Sequence, residues 1–271
     1  MSTPDLRALV TGASSGIGAA FARALRGRGE RLILVARRRD RLEALAHELG
    51  GEAHALVVPL DLKQPDSAER LKQVVESHGL AVDLLVNNAG LGHTGPFVDE
   101  RPEVIRAMLD VNVRAVVELC HAFLPAMRQR GRGAVINVAS NAAFQPVPFL
   151  TVYAATKAFV LSLSEGLSEE LRGSGVRVQV LCPGTTATEF FEVAGAGEHL
   201  LARRLPLMSA EDVVRVSLAG LDRGRVRVVA GWPNRILAFA TERLSPHAVA
   251  RRVAGELYRP RKRSSPAGEG S

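Results

Sequence analysis

The chain has 271 residues, 46% of them hydrophobic and only 4% aromatic, so it can bury one sizeable core built mainly from Ala, Val and Leu. No apolar run is long enough to span a bilayer, and the opening M-S-T-P-D-L-R lacks the apolar segment of a secretory signal. The formal charge of +7 is uneven: residues 251–271 hold six Lys/Arg against two Asp/Glu, which reads as a solubilising basic tail and not as a nucleic-acid surface.

In chain order, Leu6 to Val10 is a short buried strand. T-G-A-S-S-G-I-G, Thr11 to Gly18, follows and leads into a helix over 17–29. Strand, glycine-rich turn and helix together make a phosphate site. Gly12 permits the tight turn, while Gly16 and Gly18 let backbone approach a pyrophosphate and let the helix pack on the strand. The helix N-terminus offers unpaired N–H groups and the positive end of its dipole. Gly12, Ser14, Ser15, Gly16, Ile17 and Gly18 are therefore candidate dinucleotide contacts. A hydrolase nucleophile elbow, G-x-S-x-G, overlaps the turn at Gly12 to Gly16. It fits less well, because only one strand precedes it and no H-G-G oxyanion segment is present.

The second strand, Arg31 to Ala36, ends in Arg37-Arg38-Arg39. In a dinucleotide fold this strand end reaches the adenosine ribose. An acidic residue there binds the 2′-hydroxyl of NAD, whereas arginine accommodates the 2′-phosphate of NADP. The expectation is NADP(H), with Arg37 the main phosphate ligand and Arg38 secondary.

Ala53 to Leu60 is a third strand, ending in Asp61-Leu62. A fourth begins at Val82 to Val86 and runs into Asn87-Asn88-Ala89-Gly90. Ala134 to Val138 is the fifth and leads to Ser140. Val176 to Leu181 is the sixth, closed by Cys182-Pro183-Gly184, and Val226 to Val229 is the seventh. Helices fit 40–49, 66–78, 101–128, 152–172 and 210–222. The alternation implies right-handed crossovers and a parallel sheet covered on both faces, a Rossmann-type doubly wound α/β fold of seven strands. Residues 1–258 read as one domain, with two short amphipathic helices in 234–258 and a disordered basic tail at 259–271.

Chemistry is signalled by Ser140, Tyr153 and Lys157. Tyr153 and Lys157 stand one helical turn apart on one face. A lysine ammonium beside a phenol stabilises the phenolate, which makes a general acid/base suited to neutral pH. A serine hydroxyl nearby can hydrogen-bond the oxygen that gains or loses the proton. Ligands bind at the carboxyl ends of strands in such sheets. The marked residues Gly12 to Gly18, Arg37, Asp61, Asn88 to Gly90, Ser140 and Pro183-Gly184 all fall there. Cys120 and Cys182 lie in apolar stretches without metal or redox spacing, so buried free thiols are expected. The seven histidines form no ligand cluster, and no metal is expected. A cytoplasmic location fits this cysteine usage.

With these residues assembled, the chain resembles the short-chain dehydrogenase/reductase family over residues 5–232. The matching segments are T-G-A-S-S-G-I-G, D-L at 61–62, N-N-A-G at 87–90, Asn112 in M-L-D-V-N, Ser140, Y-A-A-T-K and P-G-T-T-A-T. The resemblance implies a carbonyl or secondary-alcohol oxidoreductase using NADP(H). It implies that Tyr153 is the acid/base, that Lys157 supports it and binds the nicotinamide ribose, and that Ser140 positions the substrate oxygen. Asn112 would support a water-linked proton path to Lys157. Asp61 and Leu62 would approach the adenine, and Asn88, Ala89 and Gly90 would line the cofactor. Pro183, Gly184, Thr186 and Thr188 would approach the nicotinamide end. A homodimer or homotetramer is also implied. The alternative, a non-catalytic NADP-binding sensor or interaction protein on the same fold, is disfavoured by the intact Asn112, Ser140, Tyr153 and Lys157.

The substrate is weakly encoded. Between Thr188 and Met208, Phe190, Phe191, Leu200, Leu201, Leu205 and Leu207 can cover an apolar ketone or acyl compound, with Gly195 and Gly197 suiting a mobile lid, or they can belong to a helix that packs on the domain. In 234–258, Leu237, Leu244, Val249 and Val253 alternate with arginines. Packing beside the cleft is the expectation there, with a subunit contact or peripheral membrane contact through 234–271 as the other readings.

Overall fold

The computed structural model describes residues 6–186, 208–232 and 234–236. Seven strands form one sheet: β1 (Arg7–Thr11), β2 (Arg31–Ala36), β3 (Ala55–Pro59), β4 (Leu84–Asn87), β5 (Gly133–Val138), β6 (Val176–Cys182) and β7 (Arg227–Val229). The helices are α1 (Gly16–Gly27), α2 (Arg39–Glu48), α3 (Ser67–Ser77), α4 (Pro102–Leu109), α5 (Ala115–Gln129), α6 (Thr151–Glu170) and α7 (Ala210–Asp222). The strand order is β3-β2-β1-β4-β5-β6-β7, with every neighbouring pair parallel.

The strands carry apolar residues on both faces, because each face is covered by helices. Their side chains alternate between the two sides of the sheet. Leu9, Ile33, Leu85, Val135 and Val178 belong to a core shared with residues of α3, α5 and α6. Val10, Leu34, Val86, Ile136 and Leu181 belong to a second core shared with α1, α2 and α7. This is the doubly wound sheet that the alternating apolar runs require.

The chain winds outward from β1 through β2 to β3, then crosses back to place β4 on the other side of β1. The two halves therefore diverge at β1 and β4, and a crevice opens outside their carboxyl ends.

Most strand ends lie within two residues of the sequence expectation. One helix differs. The pattern over 101–128 reads as a single helix, but the structure interrupts it with a π-helical turn at Asp110–Arg114 between α4 and α5. The extra residue in this turn carries Asn112, which is completely buried. Its amide bonds backbone elsewhere in the fold, and such bulges mark sites where local geometry serves a long-range contact. The third strand is also shorter than expected, because Glu52 to His54 form turns. Of the C-terminal extension, only residues 234–236, which are helical, fall among the described residues. The amphipathic helices expected beyond residue 236, the tail and Thr188 lie outside them.

Candidate active site

The glycine-rich turn is clasped to the end of β4. Thr11 Oγ1 donates to the Val86 carbonyl at 3.2 Å and accepts from the N–H groups of Asn88 and Ala89 at 3.0 and 3.1 Å. Asn88 Nδ2 returns bonds to the carbonyls of Thr11 and Gly12 at 3.0 and 3.4 Å. The closeness of this clasp dictates glycine at two positions. Gly12 has φ 65°, and a Cβ on Gly18 would stand 2.2 Å from the Gly12 carbonyl oxygen and 2.6 Å from Asn88 Nδ2. Ser15 enters α1 in extended conformation, and its side chain caps none of the helix N–H groups.

Arg38 reaches back over the turn, and its Nη2 donates to both Ser14 Oγ and Ser15 Oγ at 3.1 Å. Arg37 is exposed beside it. Sequence reasoning ranked Arg37 first, whereas in the structure the guanidinium laid across the turn is that of Arg38. Asp61 lies at the end of β3, where it accepts from the Lys63 N–H at 3.0 Å; Leu62 beside it is buried.

The second half of the site is organised by α6. Lys157 is 4% exposed, its Nζ donates to the carbonyl of Val138 at 2.8 Å, and it lies 5.7 Å from the centroid of the Tyr153 ring. The four-residue spacing predicted from sequence thus brings the ammonium beside the phenol and ties it to the end of β5. Burial pulls the Lys157 ammonium down to about 8, with the neighbouring Cys182 opposing the shift. Below that pH the buried side chain stays charged.

Ser140 follows two residues after Val138. Its Oγ accepts from the Ala142 N–H at 3.1 Å and caps the short 3-10 turn Asn141–Phe144. With the oxygen so occupied, its hydroxyl proton remains available as a donor.

Asn112 holds the loop after β4. Its Oδ1 accepts from the Leu91 N–H, and its Nδ2 donates to the Leu91 carbonyl, both at 2.8 Å. The same Nδ2 donates to Thr156 Oγ1 at 3.0 Å, and Thr156 donates to the Tyr153 carbonyl at 2.7 Å. A Cβ on Gly90 would stand 3.4 Å from Lys157 Nζ and 3.5 Å from Asn112 Oδ1. The ammonium, the amide and the backbone of Gly90 therefore converge. Pro183 joins the same edge, because its carbonyl accepts from Asn141 N–H at 2.9 Å. Gly184 and Thr186 follow it.

Sequence reasoning missed the polar supports beneath the site. Asn87 and Asn137 occupy the same register on β4 and β5 and bond through Nδ2 and Oδ1 at 2.9 Å. Asn137 Nδ2 then donates to Ser164 Oγ at 3.0 Å, which fastens α6 to the sheet. A polar residue inside an apolar strand was the available signal. Thr11, Thr156 and Asn234 were also missed. Phe149, four residues ahead of Tyr153, was missed as well; it holds φ 66°, and its carbonyl accepts from Gly95 N–H at 2.9 Å. That backbone region costs a bulky residue roughly 1–3 kcal/mol, so the loop entering α6 is held by its surroundings. Cys120 and Cys182 are both buried. No group of three or more potential metal ligands occurs among the described residues. None of the described helices is long and apolar enough to cross a membrane.

Fold and site together define a dinucleotide-binding α/β protein with a Ser-Tyr-Lys arrangement at the strand ends. The sequence profile of the short chain dehydrogenases matches residues 7–199. The chain belongs to that family, whose members are nicotinamide-dependent oxidoreductases. A short chain dehydrogenase of Pseudocercospora fijiensis is 41% identical over 186 residues, 67% of this chain and 60% of that protein. The chain thus spans about three fifths of that relative's length. Among solved structures, a short-chain dehydrogenase from Sphingobium yanoikuyae in complex with NADPH is 33% identical, covering 97% of this chain and 99% of the other with a TM-score of 0.79. The bulky-bulky ketone specific alcohol dehydrogenase of Comamonas testosteroni is also 33% identical, covering 84% and 86% of the two chains with a TM-score of 0.73.

Proposed function

We propose that the protein is an NADP(H)-dependent oxidoreductase that interconverts an apolar ketone, or a related acyl carbonyl, and its secondary alcohol. The observation that carries this reading is the buried Lys157 ammonium beside the Tyr153 ring, at the strand end that also presents Ser140. When bound, the cofactor supplies or accepts hydride at the substrate carbon. The chain supplies orientation and the proton. Tyr153 gives its phenolic proton to the carbonyl oxygen in reduction and takes one back in oxidation. Lys157 holds a positive charge against the phenolate, in a site where burial strengthens the attraction. Ser140 donates a hydrogen bond to the same substrate oxygen and so fixes the carbonyl in line. Asn112 holds the loop after β4 through Leu91 and, through Thr156, braces the turn of α6 that carries Tyr153.

The glycine turn from Gly12 to Gly18 fits a pyrophosphate, since both the clasp and the start of α1 bring backbone close to the crevice. Arg38 and the exposed Arg37, with Ser14 and Ser15, provide cations and hydroxyl donors suited to a ribose 2′-phosphate. Asp61 and Leu62 would border the adenine. Asn88, Ala89, Gly90, Tyr153 and Lys157 would line the middle, and Pro183, Gly184 and Thr186 would face the nicotinamide end; Thr188, expected there too, lies outside the described residues. The NADPH complex of the Sphingobium relative supports the cofactor choice, and the bulky ketones of the Comamonas enzyme support the substrate class.

Calorimetric titration with NADPH and NADH tests the cofactor, and a screen of bulky and short polar ketones tests the substrate. Tighter NADPH binding is expected, with the preference reduced by replacing Arg37 and Arg38 with Asp. Tyr153→Phe should lower turnover by roughly 10²–10⁴-fold while cofactor affinity is kept. Near-normal turnover in that variant would remove Tyr153 from the mechanism.

A further inference from the structure

Asn234 joins parts of the chain that are distant in sequence. It lies in the helical turn after β7 and folds back onto the turn that closes β6. Its Nδ2 donates to the carbonyl of Ala230 at 2.7 Å. Its amide lies against Gly184: a Cβ there would stand 2.2 Å from Asn234 Nδ2, 2.6 Å from Cγ and 2.7 Å from Oδ1. A Cβ on Gly231 would meet Met208 Sδ at 2.8 Å and Asn234 Nδ2 at 3.1 Å. Two glycines therefore make room for one asparagine.

Thr186 and Met208 meet at the same place. They form a parallel bridge, and Met208 N–H donates to the Thr185 carbonyl at 3.3 Å. Thr186 Oγ1 donates to the Gly184 carbonyl at 3.0 Å. Gly184 has no side chain to restrict its backbone, and a glycine left unconfined samples many conformations. The Asn234 amide packed against it restricts it, together with the Thr186 bond to its carbonyl.

We propose that Asn234 is a positioning residue, which holds the turn Pro183–Thr186 in the shape that receives the nicotinamide half of the cofactor and ties the chain beyond β7 to that end of the site. The inference rests on the NADP(H) reading above. It predicts a loss confined to one half of the cofactor. The adenosine half meets the glycine turn and the Arg37-Arg38 pair, which Asn234 does not touch.

The test is calorimetric binding of NADPH and of 2′,5′-ADP, which carries only the adenosine half. The proteins are the full chain, Asn234→Ala, Gly184→Ala and the double variant, each first checked by thermal melting. Asn234→Ala should weaken NADPH by about fivefold, the scale of one lost hydrogen bond, and leave 2′,5′-ADP unchanged. Gly184→Ala should weaken NADPH further, because its new methyl collides with the amide. In the double variant the amide is gone, so affinity should return to the Asn234→Ala level. Unchanged NADPH binding by Asn234→Ala, or an equal loss for both ligands, overturns the proposal. So does a Gly184→Ala loss that is the same with and without Asn234. Failure of the unaltered protein to bind 2′,5′-ADP overturns the cofactor reading itself.

Discussion

Lys157 offers a direct test of how the site is built, because its charge should cost stability even as it serves the chemistry. The side chain is 4% exposed, and burial lowers its ammonium from 10.5 to about 8. The folded value lies below the unfolded one, so stability is present above about 10.5 and is lost as pH falls through about 8. By linkage, keeping the buried charge at pH 7 costs about 3 kcal/mol. Lys157→Met keeps the length of the side chain and removes the charge. It also removes the donor to the Val138 carbonyl, which costs about 1–2 kcal/mol. The net gain at pH 7 is therefore about 1–2 kcal/mol, a rise in melting temperature of roughly 3–6 °C for a chain of this size. At pH 10 the linkage penalty falls below about 1 kcal/mol. The advantage should then vanish or reverse. Thermal melting of the cofactor-free protein at pH 7 and pH 10, followed by circular dichroism, reads both numbers, and turnover should be lost at either pH. A variant that melts lower than the parent at pH 7 refutes the reasoning. A pH-independent difference refutes it too.

Three further outcomes follow from other contacts. Glu30 is buried, its Oε2 has no hydrogen-bond partner among the described residues, and burial raises its carboxyl to about 7, with Arg28 opposing and Asp83 and Asp222 adding. The folded value is the higher one, so stability is present below about 4.5 and is lost as pH rises through about 7. Glu30→Gln should therefore stabilise at pH 8 by up to about 3 kcal/mol and have no such effect at pH 4.5; equal shifts in melting temperature at both pH values would exclude a titrating carboxyl. Gly18→Ala forces a methyl into the Gly12 carbonyl, so the clasp must open; NADPH titration should show binding weakened by at least an order of magnitude, and wild-type affinity would show that the turn has slack. Asn112→Ala removes three hydrogen bonds of a buried side chain, to Leu91 and Thr156, and should lower stability by about 2–4 kcal/mol, read from denaturant midpoints; a loss below about 0.5 kcal/mol would mean that the loop after β4 is held by other contacts.

Much of this protein is legible from local pattern. Apolar runs bounded by glycine, proline and asparagine locate all seven strands, because a strand buried on both faces must be apolar throughout. Their alternation with amphipathic helices fixes the parallel topology, and that topology sends every strand end to one edge. Tyr153 and Lys157 could be paired from their spacing alone, because the geometry of a helix is local. T-G-A-S-S-G-I-G was legible for the same reason, since strand, turn and helix are contiguous.

What the tertiary structure decided are the contacts between residues far apart in the chain. The break at Asp110–Arg114 is invisible in the apolar period of 101–128, because its partners are Leu91 and Thr156 on other elements. The pairing of Asn87 with Asn137 depends on strand register, and neither strand alone specifies that. Arg37 and Arg38 are adjacent and chemically alike in the sequence; only the twist of the chain leaving β2 lays Arg38 across Ser14 and Ser15. Asn234 stands fifty residues from Gly184, and the two meet only because β7 lies beside β6. Periodicity and turn chemistry are set by neighbours in sequence and can be read there. The shape of a site is set by side chains that cross between elements, and those distances exist only once the sheet has formed.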